Sequence, residues 1–122
     1  MISTKQETIV KLQNDDVTVI VNGNMLVLNP VRVRTEHTGR QVRWTCTGGN
    51  LEIAFKNGVS PFKVTTFSAK PGHSVASGEC KIKNEKRVTY DYTITVHPSD
   101  GGRTITIDPQ VDVDNPGAPI QE

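Results

Sequence analysis

The chain is poor in the residues that build helices. Leu and Ala together number only 8 of 122 residues, against 38 for Val, Ile and Thr. Helices want unbranched side chains, so this balance disfavours them and favours sheet. Aromatics are few: one Trp, two Tyr and three Phe. Charge of one sign is lacking too, since 14 basic and 13 acidic residues leave a net charge of +1. No long-range field then draws in nucleic acid or an anionic membrane. The densest basic patch, Lys81, Lys83, Lys86 and Arg87, is interrupted by Glu79 and Glu85 and reads as a solvated strand edge. No stretch approaches the ~20 apolar residues of a membrane span, and the opening residues Met1–Glu7 carry no apolar run of the kind an export signal needs. The expected location is therefore cytoplasmic.

Chemical motifs are equally scarce. His37, His73 and His97 lie far apart, and there is no HExxH and no CxxC pair to make a zinc site. No Gly-rich phosphate loop leads from a strand into a helix, and no Gly-x-Ser-x-Gly elbow is present. Asp15-Asp16 flanks a strand start and reads as a turn. Nothing here points to an enzyme or to a cofactor.

What is present is alternation. Val88, Tyr90, Tyr92, Ile94 and Val96 alternate unbroken with Thr89, Asp91, Thr93 and Thr95, which gives one apolar and one polar face on a strand. Gln41–Thr47 turns Val42, Trp44 and Cys46 inward, and Leu51–Phe55 repeats the pattern. Further strands are predicted at Val17–Val21, Met25–Leu28, Val31–Arg34, Lys63–Phe67, Cys80–Ile82 and Arg103–Ile107, with Gln110–Val113 as a short addition. Residues 5–12 read as an edge strand or a short helical lead-in, with strand preferred. Asn22-Gly23-Asn24 reads as a hairpin turn, and Pro30 as a bulge or sheet crossing. Seven Pro and ten Gly punctuate many short strands.

The fold class expected is all-β: a two-sheet antiparallel Greek-key β-sandwich, cupredoxin-like or immunoglobulin-like, of roughly seven to nine strands. Residues 1–113 make one domain and 114–122 a flexible tail. Trp44, Phe55, Tyr92 and Ile94 should be buried. Cys46 and Cys80 both have inward parity. They either form an inter-sheet disulfide, if their Cα atoms lie within ~7 Å, or remain two buried thiols, which the lack of an export signal favours.

Three segments occur in a telling order: Leu28-Asn-Pro-Val-Arg-Val33 with Gly39-Arg-Gln-Val-Arg-Trp44, then Phe55-Lys-Asn-Gly-Val-Ser-Pro-Phe62, then Tyr90-Asp-Tyr-Thr-Ile-Thr-Val-His97 with Gly101–Ile107. Together they resemble the cupredoxin family, the blue-copper β-sandwiches of plastocyanin and azurin type. The resemblance implies a copper site at Phe62, Ile94 and His97, but a degenerate one. Phe62 stands where the first His belongs and Ile94 where the Cys thiolate belongs. His97 matches the second His, and the axial Met has no counterpart, since Met occurs only at positions 1 and 25. A blue-copper site needs the thiolate and both imidazoles. Ile94 and Phe62 then fill core at one end of the sandwich, and His97 is a surface turn residue.

The function expected is a copper-free binding or interaction module without catalytic activity. Its partner would be another protein, met by the 57–78 loop and the 97–102 turn. The alternative is a carbohydrate- or envelope-binding sandwich, against which the core parity of Trp44, Phe55, Tyr90 and Tyr92 weighs.

Overall fold

Strand β1 (Gln13–Asn22) turns back into β2 (Met25–Asn29) through a two-residue loop, with Asn22 opposite Met25. Gly23 opens that loop at φ 64°, a conformation glycine reaches without steric cost and one whose twist matches the flanking strands. A computed structural model describes residues 12–37, 39–81 and 87–114. After β2 the chain crosses at Asn29-Pro30 to β3 (Val33–Glu36), then runs through β4 (Arg40–Cys46) and β5 (Gly49–Phe55). A 3-10 turn at Lys56–Gly58 follows, then β6 (Thr66–Ala69), β7 (Ser74–Ala76), β8 (Val88–Pro98), β9 (Ile105–Ile107) and β10 (Gln110–Asp114).

These ten strands make two sheets, ordered β2-β1-β4-β7 and β3-β10-β8-β5-β6, with β9 also on β8. The all-β sandwich is thus as the alternation implies. Two pairings differ from an all-antiparallel arrangement, because β1 runs parallel to β4 and β10 parallel to β3. Ile107 lies opposite Ile94 and Gln110 opposite Asp91. β9 and β10 therefore keep one register along β8, interrupted where Pro109 offers no N–H. The Pro109 carbonyl still accepts the Tyr92 N–H at 3.1 Å.

The core lies between the sheets. Trp44, Phe55, Tyr92 and Ile94 are all buried, as their parity requires. Trp44 of one sheet meets Tyr92 of the other at a ring-centroid distance of 5.8 Å, and its indole N–H donates to the Tyr92 hydroxyl at 3.2 Å. Phe55 stacks on Tyr92 at 5.2 Å, and Phe67 sits 5.4 Å from Trp44.

Several boundaries move. Val31 is exposed in the crossing and the strand begins at Val33. Strand β6 starts at Thr66, since Ser60 and Phe62 hold the preceding residues in a loop. Cys80 and Lys81 are outside any strand, because the Lys81 N–H is taken by the Pro61 carbonyl. Asp15 and Asp16 are not a turn: they lie in β1, each paired with an arginine of β4 at 2.7 Å, Arg40 and Arg43. The domain's last strand includes Asp114. The readings on residues 5–11, on Ile82 and on residues 115–122 fall outside the described residues.

Candidate functional site

The three positions singled out by the resemblance lie along β8 and beyond β5. Ile94 is fully buried and faces Ile53 across the strand pair. Phe62 is buried against Phe55 and Phe67, at 5.7 and 6.3 Å. Phe55 is opposite Tyr92, whereas His97 is opposite Asn50. Five residues of strand separate those two pairs, roughly 16 Å at about 3.3 Å per residue. Phe62 and His97 thus belong to opposite ends of the β5–β8 pair, and the structure does not bring the three together. The expectation of a single shared end is corrected by the antiparallel register. His97 is also in β8 rather than in a turn. Its Nε2 lies 3.3 Å from the Glu52 carboxylate and its Nδ1 3.1 Å from the Thr104 hydroxyl.

The residues present do not fit a copper ion. Phe62 and Ile94 offer only hydrocarbon, and His97 is engaged on the outer face. Among the described residues no three His, Cys, Asp or Glu side chains converge as a metal site. Cys46 and Cys80 are free and buried. Burial, with Glu79 adding to it, pushes the Cys80 thiol up to about 11. The Tyr92 hydroxyl is pushed up to about 12 by burial, against the opposing pull of the Trp44 hydrogen bond.

Outside the core several charges are paired between segments distant in the chain. Arg32, on the β2–β3 crossing, forks onto the Asp112 carboxylate at 2.6 and 2.8 Å and reaches the Thr89 hydroxyl at 3.1 Å. That hydrogen-bonded guanidinium holds the Asp112 carboxyl down at about 2. Arg87 meets Asp114 at 2.6 Å.

What stands out instead is exposed apolar surface, part of it on the 57–78 loop that the sequence singled out, though without naming its valines. Val59 and Val64 are 56% and 47% exposed, both on the loop between the 3-10 turn and β6. The loop is tightly held. Ser60 Oγ donates to the Val64 carbonyl and accepts the Phe62 N–H, both at 3.0 Å, and Phe62 plugs into the aromatic core. Asn57 and Gly58 enter it at φ 58° and 68°, which Asn and Gly tolerate. Valines in a stretch punctuated by Asn-Gly and Pro were the available signal. A second apolar area lies on the β1–β2 hairpin, where Ile20, Met25 and Val27 are exposed together with Val31.

No protein-family model matches the sequence, and no curated protein matches it either. Among solved structures the chain is similar to the refined crystal structure of pseudoazurin from Methylobacterium extorquens AM1. That similarity has 20% identity and a TM-score of 0.45, and covers 82% of this chain and 76% of the other. A likeness of that degree neither assigns the chain to a family nor transfers a site. Among the described residues no helix is long and apolar enough to cross a membrane.

Proposed function

We propose that this protein is a copper-free sandwich of cupredoxin type that binds another protein through the loop at residues 56–65, without catalytic activity. The observation that carries the reading is the pairing of rigidity with exposure. Val59 and Val64 face solvent on a loop whose backbone is fixed by Ser60 and anchored by buried Phe62. A loop already ordered in its presenting conformation loses little entropy on binding. The 97–102 turn is not part of this surface, since it lies at the other end of β8. The carbohydrate alternative has no matching surface among the described residues. Even Phe67, the aromatic that is only half-buried, is packed on Trp44, Phe55 and Phe62. A cytoplasmic location belongs to the same proposal, supported by two unbridged thiols, the state a reducing compartment keeps.

The test is affinity capture from source cells with the wild-type protein and the Val59→Glu/Val64→Glu double variant side by side. The expected result is a protein retained by the wild type and lost from the variant, with the circular dichroism spectrum unchanged. Equal retention by both would remove the loop from the reading.

A further inference from the structure

On one side of the sandwich both sheets end without a described neighbour. β2 is the outer strand of its sheet, and β9 lies on β8 with nothing described beyond it. Between them is an open apolar groove of about 340 Å³, lined chiefly by Leu26, Leu28, Val31, Ile107 and Pro109. Sheet edges carry unpaired N–H and C=O groups and are normally blunted by charge, proline or shortness. The other edges here obey that rule. β3 carries Arg34 and Glu36, β7 has three residues, and β6 runs into Lys70-Pro71. β2, Met25-Leu-Val-Leu-Asn29, is the longest of these edge strands at five residues and carries no charge, with Pro30 only past its end as Pro71 is past that of β6.

We infer that this side is the interface of a two-fold dimer, in which β2 pairs antiparallel with β2 of a second copy and the two grooves close on each other. An open edge selects an extended strand as its occupant. A two-fold axis sets each residue against itself or its near neighbours, so a charged edge would repel its own copy. β2 is neutral, and Asp108 at the groove rim is already held by Lys56 at 3.1 Å. A lone peptide strand would satisfy β2 and leave Val31 and the β9 side in water. A second copy continues both sheets at once. It also joins the exposed Ile20, Met25 and Val27 of the two hairpins into one face: Ile20 lies opposite Val27, and Met25 opposite Asn22 is on the same side.

The experiment is sedimentation equilibrium over a concentration series for the wild type, Val27→Lys and Val31→Asp. Both substituted positions are exposed, 40% and 74%, so the fold should survive, and circular dichroism with cooperative unfolding checks that it does. The wild type should approach twice the 13.4 kDa chain mass. Each variant should weaken association by about 30-fold or more, as loss of a central contact does. A wild type that stays monomeric throughout, whether or not it takes up an extended peptide, overturns the inference. So does a dimer that both folded variants leave intact.

Discussion

Asp112 shows how a single side chain ties the crossing to the sheet. It is 5% exposed on β10, and the Arg32 guanidinium and the Thr89 hydroxyl surround its carboxylate. The hydrogen bond from Arg32 holds it at about 2, below its ordinary 3.8. A carboxyl depressed in the folded state stabilises that state at pH values above the unfolded pKa, and the gain is lost as pH falls through the folded one. The window therefore runs from about pH 4 down to about pH 2. Asp108, lowered by its hydrogen bond from Lys56, acts with the same sign and leaves a residual slope. In denaturant titrations at stepped pH, Asp112→Asn should be less stable than the wild type at neutral pH and lose less between pH 4 and 2. A parallel loss in both proteins would mean that the Arg32 pairing contributes nothing to folding. Trp44 is the other residue whose polar atom decides its placement. Its N–H is buried and would be costly unpaired, so the Tyr92 hydroxyl across the core sets its orientation as well as its depth.

At the scale of elements, the link from β4 to β5 is a tight joint between the sheets. Gly49 begins β5 opposite Pro98, and a Cβ placed there would collide with the His97 carbonyl oxygen and press on Val96 Cγ1, 2.8 Å away. The first obstacle is backbone and cannot rotate aside. Gly49→Ala should thus push β5 from β8 and cost about 1–3 kcal/mol, as overpacking does, read as a shift in the denaturation midpoint. A neutral substitution would show that the joint has slack. The same joint explains why His97 belongs to β8. The pairing of Asn50 with His97 extends the strand past the point where Pro98 suggests a turn.

At the scale of the whole molecule, the absence of a thiolate at position 94 governs metal chemistry. Type 1 copper colour requires charge transfer from a cysteine sulfur. Ile94 is at the centre of the core, Cys46 ends β4 and Cys80 follows β7. Stoichiometric Cu(II) should give no intense visible band, and binding at His97 should be removed by a mild chelator. A band that survives dialysis and vanishes in His97→Ala would overturn the copper-free reading.

Period-two alternation made the inward faces of β4, β5 and β8 readable from sequence, because side-chain direction on a strand is a local property. Val42, Trp44 and Cys46, then Leu51, Ile53 and Phe55, then Tyr90, Tyr92, Ile94 and Val96 are buried as that pattern demands. Neighbour choice is not local. Nothing in Val17–Val21 or Arg40–Cys46 says that β1 lies parallel to β4. Nor does Gln110–Asp114 announce a strand between β3 and β8. Those pairings join residues far apart in the chain, and they are settled by how two twisted sheets close over one core. The candidate copper positions divide in the same way. The sequence by itself determined that Phe62 and Ile94 cannot bind metal, since their side chains are hydrocarbon. Only the tertiary structure decided that Phe62 and His97 sit at opposite ends, because the antiparallel β5–β8 register, which no motif encodes, measures the distance between them.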